Sequence, residues 1–269
     1  MRRLLMAMVS RMPASWLRAI GAWQWTGPLA RQFVAAGSGW LRTQDVTISH
    51  GVAAGLRFNA AGANPGYALG TTEPLTQEAL ARLARPGAVA YDIGANVGFF
   101  MVLLARLVGP SGAVYAFEPL SDTAQAARHN AELNGFGHVT VFAQAVGRAA
   151  GLVTLALQDE STWARLKDDT TSGPTVDVPM VCIDDLVEAD TIRPPALVKI
   201  DVEGAELEVI AGMRRTLLAH RPVVVCEMHG KNAAFADLME SLGYAVRALE
   251  TPEPVRTARW DVHALAEPK

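Results

Sequence analysis

From Ala88 onward, short apolar runs alternate with longer amphipathic stretches. Val89–Ile93, Ala113–Phe117, 139–144, 196–200 and Val223–Glu227 are compact apolar runs that read as strands. Between them, Phe99–Val108, 122–133, 206–213 and a segment near 233–242 carry apolar residues at helical spacing. Gly109-Pro110 and Asn134-Gly135 supply stops for the first two. Two further runs, 152–157 and 176–181, read as extra strands around a polar loop, and 244–249 and 261–265 as final strands. Apolar strands separated by helices predict a mostly parallel sheet covered on both faces, which is a doubly wound α/β domain.

Residues 1–70 read as a helical and hairpin extension, and 71–269 as the main domain. Gly27-Pro28 and Gly37-Ser38-Gly39 interrupt a helical pattern over 1–40, and 45–48 with 56–58 suggest a small hairpin. Asn64-Pro65-Gly66 reads as a turn ahead of a helix running from Thr72 to about Ala84. Leu4, Met8, Met12, Trp16 and Ile20 fall on one helical face beside Arg2, Arg3, Arg11 and Arg18. That face suits packing on the domain or on a second copy in a homodimer, with peripheral membrane contact as the alternative. No stretch approaches the roughly 20 apolar residues that a transmembrane helix needs.

The charge balance narrows the partners. A formal net charge of −3 lacks the basic footprint of a nucleic-acid binder. Cys182 and Cys226 lie in strand-like runs without ligand spacing, as expected of small buried hydrophobes in a reducing cytoplasm.

In an open parallel sheet, ligands bind outside the carboxyl ends of the strands, where strand order reverses. The first such end reads Tyr91-Asp92-Ile93-Gly94-Ala95-Asn96-Val97-Gly98-Phe99. Gly94 permits a sharp turn, Gly98 a close helix, and the helix-start amides could serve an anionic group. The next strand ends in Phe117-Glu118-Pro119, where a carboxylate can accept both hydroxyls of a ribose. A nicotinamide dinucleotide needs Gly-x-Gly-x-x-Gly for its pyrophosphate, but Asn96 and Phe99 occupy the second and third glycine positions. S-adenosylmethionine carries no phosphate, and Asp92 and Asn96 suit its amino-acid and sulfonium charges. A nicotinamide-dependent oxidoreductase is the alternative, and a scaffold that has lost turnover a third reading.

These residues resemble the FkbM-type methyltransferases in order along the chain: Asp92 to Gly98, Phe117-Glu118-Pro119, His129-Asn130 to Asn134-Gly135, and Ala145-Val146-Gly147. Lys199-Ile200-Asp201-Val202-Glu203-Gly204-Ala205-Glu206 and Glu227-Met228-His229 continue the match, and Thr72-Glu73-Pro74 precedes it. The resemblance runs from about Gly70 to Tyr244. It implies a seven-stranded Rossmann-like methyltransferase sheet binding S-adenosylmethionine, and commonly O-methylation of a sugar or natural-product hydroxyl. It also implies that Asp92, Gly94, Ala95, Asn96 and Gly98 hold the methionine portion and that Glu118, with Pro119, holds the ribose. Gln144, Ala145 and Val146 would flank adenine, and Glu73 and Asp201 would complete the cofactor site.

Methyl transfer from a sulfonium is an in-line displacement, and an alcohol acceptor must also lose a proton. Asp201 closes an apolar strand at the ligand side, with Lys199 on the same side to pair with it or another acid. Glu203 fits either a helix cap or catalysis, whereas Glu206 fits the favourable end of a helix dipole. Glu227 and His229 alternate onto one side of the next strand end, and His229 is a candidate base or acceptor-orienting group. Asp201, Glu227 and His229 could also chelate a divalent cation, although the catalytic set of Asp201, His229 and Glu203 is assigned without a metal. In the loop 159–174, Trp163 fits either a lid over the acceptor or a surface tether.

Overall fold

A computed structural model describes residues 43–157, 164–166 and 173–269. The amphipathic segment 1–20 and Trp163 lie outside the described residues. The chain begins with a two-stranded hairpin, β1 (Val46–Thr47) and β2 (Arg57–Phe58), followed by helices α1 (Pro65–Leu69) and α2 (Pro74–Leu83). Then come β3 (Val89–Ile93), α3 (Phe99–Val108), β4 (Ala113–Phe117), α4 (Ser121–Leu133), β5 (Val139–Phe142) and β6 (Ala145–Val146). An insertion of β7 (Gly151–Leu157), β8 (Ala164–Leu166) and β9 (Thr175–Val181) leads into α5 (Ile183–Glu188) and β10 (Leu197–Ile200). The remainder is α6 (Glu206–Gly212), α7 (Arg214–His220), β11 (Val223–Glu227), α8 (Asn232–Ser241), β12 (Tyr244–Ala248) and β13 (His263–Pro268).

Seven strands form one sheet in the order β12-β13-β11-β10-β3-β4-β5, with β13 antiparallel to both neighbours and the pairs from β11 to β5 parallel. From β3 the chain winds outward through β4 to β5, then returns to build β10 and β11 on the other side. Strand order therefore reverses between β3 and β10, and a crevice opens at their carboxyl ends.

Period-two alternation assigns the faces. Ala90, Leu197, Val225 and Leu265 pack into one core, with α3, the hairpin and Leu80 of α2. Tyr91, Ile93, Val198, Ile200 and Cys226 pack into the other, with apolar residues of α5, α6, α7 and α8. By the same parity Asp92, Lys199 and Glu227 belong to the α3 face. Helix α3 is apolar on nearly every side because it is covered all round: Phe99 through Ala105 are buried.

Several elements depart from the sequence reading. Residues 64–66 do not form a simple turn but start α1, whose Asn64 side chain accepts from the Gly66 amide with Pro65 behind it. The strand expected over 139–144 ends at Phe142, and residues 145–146 just beyond the expected run form β6, which pairs with β9 in a four-stranded sheet ordered β6-β9-β7-β8. The loop expected over 159–174 contains β8, paired with β7. Helices α5 and α7 are too short for a periodic signal. The last strand starts later than expected, at His263, and runs to Pro268. Among the described residues, no helix is long and apolar enough to cross a membrane. Both cysteines are free and buried.

Gly94 joins β3 to β10 at the crevice. Its φ is +82°, and an added Cβ would lie 1.7 Å from the Asp201 carbonyl oxygen. Left-handed strain alone costs an L-residue about 1–2 kcal/mol, and here the clash is with backbone that cannot rotate away. Gly94→Ala should therefore lower the unfolding free energy by more than that strain, read as a lower urea midpoint at unchanged slope.

Candidate active site

A cavity of about 1000 Å³ opens at the carboxyl ends of the parallel strands. Its wall includes Gly94, Asn96, Glu118, Pro119, Gln144, Ala145 and Val146. It also includes Glu73, Asp201, Glu203, Glu227 and His229. The sequence reading named all of these. Three other expected contacts, Asp92, Ala95 and Gly98, do not line the cavity. Asp92 faces the α3 side of the sheet because its neighbours Tyr91 and Ile93 face the opposite core. Ala95 is buried in the α3 core, and Gly98 sits against Ala127 of α4.

The amides of the turn after β3, ahead of the start of α3, are bonded within the protein. Gly94 and Ala95 both donate to the Phe117 carbonyl, at 2.9 and 3.0 Å, and Gly98 donates to Ala95. The Asn96 amide donates to Glu118 Oε2 at 3.0 Å, and Val97 donates to the Asn96 side chain. Every amide of 94–98 thus has a protein acceptor, which leaves no nest for a pyrophosphate. A phosphate-free nucleoside has no such requirement. Glu118 also accepts from Leu120 at 2.9 Å, so both carboxylate oxygens are held in a fixed plane. Burial raises its pKa to about 7 despite these two bonds.

Behind the wall, Lys199 lies 3.2 Å from Asp201 Oδ2 and 3.9 Å from Asp92 Oδ1, with its ammonium over the Phe100 ring. Burial opposes the lysine's charge, but Asp201 and Asp92 outweigh it and hold the pKa above the ordinary range. Asp92, wholly buried, is raised to about 6 by desolvation, which Lys199 only partly offsets.

The acidic end contains two histidines. His229 Nδ1 is 2.7 Å from Glu206 Oε1, and its Nε2 is 3.4 Å from Glu203. Glu206 is therefore more than a helix-start carboxylate; it fixes this ring from a fully buried position. Burial disfavours the imidazolium, but the bond to Glu206 and the nearby Glu203 and Asp201 carboxylates win, raising His229 to about 9. A site that favours the imidazolium suits the acceptor-orienting alternative better than the base. Burial raises the Glu203 pKa, which makes that carboxylate better matched to taking a proton. Glu203 and Asn96 both adopt left-handed backbone, at φ +47° and +50°. Such conformations persist where surrounding structure imposes them.

His263 was missed in the sequence. It faces Glu227 across the β11–β13 pairing, with Nδ1 bonded to Glu250 and Nε2 3.0 Å from Glu73. Glu73 precedes α2 without capping it, because its carboxylate is turned toward His263. Trp260 was also missed. It lines the cavity while 63% exposed, and its ring centroid is 6.5 Å from that of His229.

The family model for the methyltransferase FkbM domain matches residues 92–247. The chain is 30% identical over 203 residues to the 31-O-demethyl-FK506 methyltransferase FkbM of Streptomyces tacrolimicus, covering 62% of this chain and 76% of that protein. It is 29% identical over 186 residues to Methyltransferase 1 of Beauveria bassiana, covering 60% and 74%. It is 30% identical over 141 residues to the hexuronic acid methyltransferase AglP of Haloferax volcanii, covering 52% and 56%.

The raised histidine carries a pH signature. A group whose pKa is higher folded than unfolded stabilises fully below its unfolded value and loses that contribution as pH rises through the folded value. For His229 the window runs from 6.5 to about 9. The melting temperature should fall across it, and His229→Gln should flatten the fall. An unchanged slope in the variant would show that His229 does not carry the proton.

Proposed function

The chain belongs to the FkbM methyltransferase family, and from that premise we propose that it transfers a methyl group from S-adenosylmethionine to a hydroxyl of a sugar or other small molecule. The observation that carries this reading is one cavity lined both by Glu118 and by the Asp201, Glu203 and His229 cluster. Glu118 is the ribose acceptor in this reading, Gln144, Ala145 and Val146 run beside the adenine, and the turn at Gly94 and Asn96 supports the methionine portion. The excess of carboxylates around Asp201 suits a sulfonium and an ammonium group. The occupied amides of the turn disfavour the dinucleotide alternative.

The donor supplies an activated methyl group on a positively charged sulfur. The protein has to align the acceptor and manage its proton. Bound beside Glu118 and Asp201, the donor would give its methyl group to the acceptor oxygen and keep the carbon–sulfur electron pair on sulfur. The hydroxyl proton passes to Glu203, whose environment favours holding it. Asp201, fixed by Lys199, stands beside the reacting centre, and His229 orients Glu203. Trp260 offers a flat apolar face at the rim, of a kind that suits the carbon face of a sugar ring. The name of the Haloferax relative, a hexuronic acid methyltransferase, supports a carbohydrate acceptor.

Titration calorimetry tests the donor. S-adenosylmethionine should bind with one site, and Glu118→Gln should weaken it about tenfold, roughly 1.4 kcal/mol. Because the ionised carboxylate accepts the hydroxyls, wild-type affinity should rise as pH passes about 7, and the variant should lose that dependence. Silence with both S-adenosylmethionine and S-adenosylhomocysteine would refute the reading. For the acceptor, metabolite pools incubated with deuterium-labelled donor should yield a labelled methyl ether by mass spectrometry; labelling only on nitrogen or carbon would exclude O-methylation.

A further inference from the structure

The two histidines at the acidic end share an arrangement. Each has Nδ1 against a carboxylate of its own, His229 on Glu206 and His263 on Glu250. Each turns Nε2 toward further carboxylates: Glu203 for His229, Glu73 and Glu227 for His263. An imidazole whose Nδ1–H is fixed by a carboxylate, leaving Nε2 to face oxygen donors, is the usual posture of a metal ligand. Helix-dipole stabilisation does not require Glu206 to be buried, and burying a carboxylate is costly. Yet Glu206 is fully buried, with one oxygen on His229 and the Gly204 amide and the other without a partner. Fixing the direction of His229 accounts for that placement.

His263 is committed at both nitrogens and does not line the cavity. His229 does, as do Asp201 and Glu227, and one donor atom from each of the three lies within 4.8 Å of the others. Two of these residues end or follow adjacent parallel strands, so the sheet itself fixes their spacing. We infer that Asp201, Glu227 and His229 bind a divalent cation at the acceptor end of the cavity. Two carboxylates with one imidazole form a hard, oxygen-rich set that suits Mn²⁺ or Mg²⁺ better than a structural zinc. Binding the cation displaces the Nε2 proton of His229 to solvent, and Glu203, released from His229, is free to receive the acceptor proton. A hydroxyl bound to the same cation would ionise more readily. His263 then acts as the brace that holds Glu227 in place.

The inference builds on the methyl-transfer reading of the site, and Mn²⁺ alone tests it separately. Metal-stripped protein titrated with Mn²⁺ should remove the free-ion electron paramagnetic resonance signal up to one equivalent per chain. Glu227→Gln and His229→Gln, each checked for folding by circular dichroism, should bind at least tenfold more weakly. Glu206→Gln should lose about 10–100-fold through misorientation of the ring. Uptake that is absent at millimolar Mn²⁺, or equally tight in a folded Glu227→Gln or His229→Gln protein, overturns the site. If one of those two variants does not fold, the other decides. S-adenosylmethionine binding measured without metal stands apart: binding of the nucleoside with no uptake of Mn²⁺ removes this inference and leaves the methyl-transfer reading intact.

Discussion

Lys199 places a positive charge on the central strand of an apolar sheet, where it is 2% exposed. A buried ammonium is tolerated only with partners, and losing one commonly costs about 3–5 kcal/mol. Asp92 lies directly across the β3–β10 register and Asp201 two residues ahead on the same face, so the pairing locks together the two strands between which the sheet reverses. The carboxyl ends of those strands define the crevice. Gly94, pressed against the Asp201 backbone, completes the lock from the other side. Asp92 thus belongs to the foundation of the site rather than to its surface.

From that lock the electrostatics of the crevice follow. Asp201, Glu203, Glu227 and Glu73 line a common space together with His229, while Lys199 pairs with Asp201 and His263 with Glu73 and Glu227. Carboxylates brought together repel one another, and a cation entering the space relieves them. The donor's sulfonium and ammonium groups have the required sign, and a divalent ion would satisfy the same imbalance more locally. Glu118, within electrostatic reach of Asp201, is held flat by two amides, a geometry matched to a vicinal diol.

The parts of this arrangement that were legible in the sequence are local. Gly94 and Glu118 could be found because each lies at the end of a short apolar strand. Asp201, Glu227 and His229 followed from alternation along single strands. Asp92 shows the limit of motif reading: it lies inside the expected binding segment, but the parity of Tyr91 and Ile93 turns it inward. The contact between Glu73 and His263 spans 190 residues and depends on β13 entering the sheet antiparallel beside β11, which no local pattern announces. Glu206 was hidden for another reason, since its position at a helix start already explained its charge. The short helices α5 and α7 left no periodicity to read, and β6, two residues long, is too short to announce a strand.

The most direct test is the crystal structure of the protein with S-adenosylhomocysteine. The account predicts the ribose hydroxyls on Glu118, the adenine along residues 144–146, and the sulfur directed toward Asp201 and His229. A nucleoside seated elsewhere, with Glu118 contacting only the amides of Asn96 and Leu120, would contradict it.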